Sequence, residues 1–149
     1  MTQLSLHSPV GDLTVSEDDG AIVSLDWGWG AVQTETPLLL EARRQLHLYF
    51  DGDLTQFNLN LRPHGTPFRH RVWTAMRKIP YGKTETYGSV AGQLQSASRA
   101  VGGACGANPI PILIPCHRIL AAGGGLGGYS GEGGTETKMF LLRLERALP

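Results

Sequence analysis

The chain has 149 residues, about 41% of them apolar, which suits one compact domain or two small ones and excludes a long disordered tail. No apolar run approaches the ~18 residues of a membrane span, and Met1-Thr2-Gln3-Leu4 lacks the charged and apolar regions of a secretory signal, so a soluble cytoplasmic protein is expected. Two cysteines, Cys105 and Cys116, are too few for a disulfide scaffold, and with five scattered histidines they give no zinc-ligand spacing, so no metal is expected. The formal charge of zero conceals an asymmetry: residues 1–65 carry nine acidic side chains against three basic, whereas residues 66–118 carry seven basic against Glu85 alone. A positive face for a polyanion and a plainly solvated basic face both fit that count.

Residues 3–27 predict a β-meander, with Leu4, Leu6, Leu13, Val15, Ile22, Val23 and Leu25 recurring near period two between turn-forming stretches. Thr36 caps a helix opened by Pro37, with Leu39, Ala42, Leu46 and Tyr49 as its buried stripe and Asp51-Gly52 as its stop. Gln56 to Leu61 alternates as a short strand. This segment carries no cluster of potential catalytic groups and reads as a scaffold.

Arg62-Pro63-His64-Gly65-Thr66-Pro67 is the predicted boundary, because prolines and a glycine meet the switch from acidic to basic composition there. Thr66 and Pro67 then open a helix whose inner face is Phe68, Val72, Ala75, Met76 and Ile79. Helices from about Tyr87 to Leu94 and Ser98 to Ala107, closely connected, give the helix-turn-helix pattern. In the second, Val101, Ala104, Cys105 and Asn108 share one face, and Arg99, Gly102, Gly103 and Gly106 the other. Each glycine inside a helix costs ~1 kcal/mol against alanine. Such a smooth face suits either a DNA minor groove or close packing on another helix; Cys105 reads as a small buried hydrophobe.

Ile112-Leu113-Ile114 is a short apolar run that delivers Cys116-His117-Arg118 to an interior site, with Cys116 and His117 expected on opposite sides of an extended segment. A thiol attacks as thiolate, and a neighbouring imidazole with basic side chains supplies that activation. A buried structural cysteine beside a polar turn fits the spacing equally. Glu145 shares an apolar stripe with Leu141 and Leu142 on a C-terminal helix from about Thr135, where it either orients an imidazole or sits at the surface near Arg146. The run Gly123 to Gly131 lacks the ending of a phosphate-binding loop and reads as a flexible wall for a flat ligand, with Tyr129 as its aromatic element.

Ile114-Pro115-Cys116-His117-Arg118, preceded by Arg99-Ala100-Val101-Gly102 and Asn108-Pro109 and followed by Gly128-Tyr129-Ser130-Gly131 and Leu141-Leu142-x-x-Glu145, resembles the O6-alkylguanine-DNA alkyltransferase family from about Phe68 to Glu145. The N-terminal segment is similar to the family's ribonuclease-H-like domain in its order of elements. The resemblance implies an α/β (α+β) protein: a ribonuclease-H-like meander-plus-helix domain over 1–62 and a mostly helical domain with the helix-turn-helix over 66–149. It also implies that Cys116 accepts the alkyl carbon irreversibly as a thioether. His117 takes the thiol proton through a water, Glu145 polarises His117, and Asn108 organises the site. Tyr87 would hydrogen-bond the flipped guanine and help rotate the 3′ phosphate, while Arg99 fills the gap left in the stack. Tyr129 and Ser130 match the pocket wall and an O6 donor, and the Ile119 carbonyl would read the exocyclic amine. Arg118, Gly102 and Gly103 fall among the substrate and DNA contacts.

The implied partner is double-stranded DNA containing O6-alkylguanine, met by a monomer without a cofactor, an obligate protein partner or a membrane. Cys116 stands where alkyltransferase-like lesion binders carry Trp, which argues against that alternative. Residues 1–104 hold no Cys, so the N-terminal zinc site of some relatives is not expected, and the absence of a regulatory domain argues against transcriptional control. Gly131 to Glu136 looks slightly longer than the family pattern. A non-enzymatic helix-turn-helix regulator would need long polar side chains on its recognition helix, where Arg99 stands alone. A Cys-His hydrolase would need an oxyanion hole, for which no signature is present.

Overall fold

The computed structural model describes residues 1–129 and 133–148. The chain is an α/β protein of two compact units, Met1–His64 and Gly65–Pro149.

In the first unit, β1 (Thr2–Leu6), β2 (Leu13–Asp18) and β3 (Ala21–Trp27) form an antiparallel meander in the order β1-β2-β3. Leu4 faces Val15 across the first pair and Val15 faces Leu25 across the second, so the period-two residues line up on one sheet face. Against that sheet packs α1 (Pro37–Phe50), whose Leu39, Ala42, Leu46 and Tyr49 are buried. Thr36 Oγ1 accepts from the Leu39 amide at 3.1 Å, satisfying a donor that the first turn leaves open. Polar residues are also buried on this sheet. Ser5 Oγ and Thr14 Oγ1 lie 2.7 Å apart, and Ser5 also receives the Gly30 amide at 3.0 Å and Gln33 Nε2 at 2.9 Å. Buried hydroxyls persist only when so paired.

The strand expected over Gln56–Leu61 does not form. The segment makes one parallel bridge, Ile22↔Leu61. The backbone of Asn58 is engaged by a side chain instead: its amide donates to Gln45 Oε1 at 2.9 Å and its carbonyl accepts from Gln45 Nε2 at 3.1 Å. A helix side chain thus takes the place of a neighbouring strand.

The second unit opens with α2 (Pro67–Arg77), capped by Thr66. Val72, Trp73 and Met76 are its buried residues, whereas Phe68 and Ala75 are only half-buried. The two-residue strand β4 (Glu85–Thr86) leads directly into α3 (Tyr87–Gln93), and α4 (Ser98–Gly106) completes the helix-turn-helix. Trp73 Nε1 donates to the Ala104 carbonyl at 2.9 Å and Arg71 to the Leu94 carbonyl at 3.0 Å, so α2 is the brace of both helices. Then follow a buried loop, the 3-10 turn Cys116–Arg118, β5 (Ile119–Leu120) and finally α5 (Thr135–Leu144). Strands β4 and β5 pair in parallel, Glu85 with Ile119 and Thr86 with Leu120. This short ladder joins the segment before Tyr87 to the segment after Cys116.

Candidate active site

Residues 110–120 are buried without interruption. Asn108 governs how this stretch is held: Nδ2 donates to the Ile114 carbonyl at 3.0 Å, and Oδ1 accepts the Ile110 amide at 2.9 Å. Between these anchors Ile112 has φ +74°, a left-handed conformation that costs a β-branched residue ~1–3 kcal/mol. The clamp and the complete burial of the isoleucines offset that strain and present Cys116 from a tight 3-10 turn. The turn replaces the extended segment expected from sequence; the Cys116 amide closes on the Ile114 carbonyl at 2.8 Å and the Arg118 amide on the Pro115 carbonyl at 3.0 Å.

His117 is fully buried and its Nε2 lies 2.7 Å from Glu145 Oε2. Burial pushes the Glu145 carboxyl up, but hydrogen bonds from His117 and Arg118 outweigh it and bring the pKa to about 2. The carboxylate is then a pure acceptor, so Nε2 carries the proton and Nδ1 presents a lone pair. Burial foremost lowers the His117 pKa, against the opposing pull of Glu145, and keeps the ring neutral. Nδ1 has no hydrogen-bond partner among the described residues.

Arg118 grips the same carboxylate, with Nε on Oε1 at 2.8 Å and an Nη on Oε2 at 3.0 Å. Its other Nη donates to the Ile79 carbonyl at 2.7 Å, and the guanidinium lies 5.9 Å from the Tyr81 ring centroid. Glu145 stands at the C-cap of α5, and its carboxylate is tolerated in the core because His117 and Arg118 meet it there.

Above the turn lies a cavity of about 850 Å³, lined by Tyr87 from α3, Arg99, Gly102 and Cys105 from α4, and Cys116 and Tyr129. Burial and the neighbouring thiols raise the Tyr87 phenol to about 12, and burial raises Tyr129 well above its ordinary value, so both keep their protons at neutral pH. Burial likewise pushes the Cys105 thiol up to about 12.

A family model described as 6-O-methylguanine DNA methyltransferase, DNA binding domain, matches residues 67–147, and one described as the ribonuclease-like domain of the same proteins matches residues 2–63. The chain belongs to the 6-O-methylguanine DNA methyltransferase family. A Methanosarcina acetivorans methylated-DNA–protein-cysteine methyltransferase is 41% identical over 149 residues, covering 93% of this chain and 94% of its own. The constitutive methylated-DNA–protein-cysteine methyltransferase of Bacillus subtilis is 41% identical over 153 residues, covering 94% and 92%. Mycobacterium tuberculosis OGT, solved in complex with DNA, superposes with a TM-score of 0.89 at 39% identity, covering 99% of this chain and 94% of that one.

In this family member the residues expected from sequence divide into two shells. Tyr87, Arg99, Gly102, Cys116 and Tyr129 line the cavity; Asn108, His117, Ile119 and Glu145 are buried and do not line it. Gly103 is exposed on the same helix as Gly102 without lining the cavity. Ser130 lies outside the described residues, as does part of the Gly131–Glu136 stretch. Arg118, grouped by sequence with the DNA contacts, is buried with its guanidinium on Glu145 and Ile79. Sequence reasoning also overlooked Lys138, which is fully buried with Nζ 3.0 Å from the Gly128 carbonyl. The signal was available: Lys138 stands seven residues before Glu145, on the stripe of Leu141 and Leu142.

Proposed function

We propose that this chain repairs O6-alkylguanine in double-stranded DNA by moving the alkyl group from the base to the Sγ of its own Cys116, once per molecule. The observation that carries this reading is the polar relay beneath the cavity, in which Cys116 faces the open space and His117, oriented by Glu145, stands next to it in the same turn. A stacked base cannot reach a buried thiol, so the nucleotide must leave the helix at a cost of a few kcal/mol. The glycine face of α4 enters the minor groove and Arg99 fills the vacated stack, while Tyr129 receives the extruded base.

The thiol proton passes through one water to Nδ1 of His117, and the sulfur attacks the alkyl carbon as the carbon–O6 bond breaks. The electron pair of that bond goes to guanine O6. Tyr87, whose phenol keeps its proton, donates to the developing charge, and the Ile119 carbonyl accepts from the guanine amine. The product thioether has no leaving group at neutral pH, so the reaction is stoichiometric. Arg118 serves Glu145 rather than the DNA, since its donors face the interior.

The N-terminal segment, 1–62, acts as scaffold, and 66–149 carries DNA binding and alkyl acceptance. The protein works as a cytoplasmic monomer; no helix among the described residues is long and apolar enough to cross a membrane. Intact-protein mass after incubation with an O6-methylguanine duplex tests the reading. One methylene gained at Cys116 and absent from Cys116→Ser supports it. Lesion-selective binding without mass gain would make the protein a damage sensor.

A further inference from the structure

Lys138 is the one lysine among the described residues that solvent does not touch. Its Nζ donates to the Gly128 carbonyl at 3.0 Å and lies 5.8 Å from the centroid of the Tyr87 ring. An isolated buried ammonium is among the costliest groups a core can hold, so its surroundings must return that cost. Among the described residues they comprise the Gly128 carbonyl, the Tyr87 ring face and, more distantly, the thiols of Cys105 and Cys116, which oppose the lowering of its pKa by burial. The Gly128 carbonyl belongs to the glycine-rich cavity wall, and the adjoining Gly127 sits so close to Tyr87 that a Cβ there would be 3.0 Å from Cε2. The wall therefore touches the Tyr87 ring through a residue that has no side chain.

We propose that Lys138 is a positioning residue whose ammonium latches the glycine-rich wall to α5 and seats the Tyr87 ring against it, giving the cavity over Cys116 its shape. A wall with glycines at φ +76°, +86° and +68° (Gly123, Gly124 and Gly127) has little stiffness of its own. The latch supplies that stiffness by a charge-assisted bond to the main chain, leaving the wall's side chains free for the ligand. The ammonium also places positive charge on the side of the cavity where a Cys116 thiolate forms.

This inference rests on the alkyl-transfer reading, and the test separates the two. Lys138→Met removes the charge at similar length, and Lys138→Arg retains it. With free O6-benzylguanine as the probe, Lys138→Met is expected to alkylate Cys116 at least 10-fold more slowly, through weaker saturation, with its pH–rate profile displaced to alkaline pH. Amide exchange over residues 123–129 is expected to quicken at least 10-fold, and Lys138→Arg to recover most of both. Wild-type exchange and rate in a folded Lys138→Met overturn the latch. If that variant does not fold, Lys138→Gln takes its place under the same criterion. Failure of both to fold overturns a local latch in favour of a general structural role. Absence of alkylation in the wild type would count against the transfer reading alone, since exchange at the wall still reports on the latch.

Discussion

The Glu145 carboxylate is shared: Oε2 meets His117 Nε2 at 2.7 Å while Arg118 Nε holds Oε1 at 2.8 Å, with no solvent reaching the carboxylate. A buried anion so divided has its charge balanced by Arg118 and its geometry spent on His117. Replacing it therefore damages both functions. Glu145→Gln leaves Arg118 uncompensated and is expected to cost about 3 kcal/mol or more, together with a large loss of alkylation rate. Urea denaturation and intact-mass kinetics check the two effects. A variant as stable as wild type would show that Arg118 finds another partner.

The same pair sets the pH response. His117 is lowered in the folded state, so the folded protein binds fewer protons than the unfolded chain below the ordinary imidazole range, and stability falls as pH drops through 6.5. Glu145, at about 2 against an ordinary 4.5, contributes stability that is complete above 4.5 and is lost as pH falls toward 2. Both act in one direction, so the melting temperature is expected to decline progressively on acidification. The alkylation rate, which needs neutral His117, is expected to hold its plateau below pH 6.5, and a decline centred at 6.5 in the pH–rate profile would contradict a depressed imidazole.

Gly103 is exposed on α4 and a Cβ there would meet nothing within 4 Å. Gly103→Ala is expected to stabilise the helix by up to ~1 kcal/mol and yet weaken DNA binding several-fold, because on the proposed docking of α4 the methyl would meet the groove floor. Thermal melts and fluorescence anisotropy give the two readings; binding equal to wild type would remove α4 from the groove.

Arg99→Ala is expected to slow repair in duplex DNA at least 10-fold while leaving reaction with free O6-benzylguanine nearly unchanged, since only the duplex has a gap to fill. Equal slowing in both would place Arg99 in the pocket rather than the stack. Duplex binding should also weaken linearly in log–log terms with added salt, as phosphate contacts from the basic segment release counterions.

Periodicity and capping placed the meander, α1, α2 and the helix-turn-helix, because Thr36, Pro37, Thr66 and Pro67 are local signals that tertiary structure did not override. Gln56–Leu61 failed because Gln45, eleven positions before its start, took the backbone partners at Asn58 that a strand requires. In the site, the P-C-H-R core and Glu145 were legible through the family pattern. The roles of Arg118 and Lys138 were not, since a basic residue in sequence carries no mark of whether it faces phosphate or a buried carboxylate. Trp73 escaped notice for a related reason: its indole N–H is satisfied by Ala104, thirty-one residues away.

Separation along the chain has a last consequence. Glu145 follows His117 by 28 residues and stands at the C-cap of α5, so the relay is complete only when α5 is docked against the Cys116–Arg118 turn. Until α5 is docked, nothing fixes the tautomer of His117, and the thiol is no better a nucleophile than any other cysteine. The competence of the thiol is thereby tied to the docking of α5 rather than to Cys116 alone.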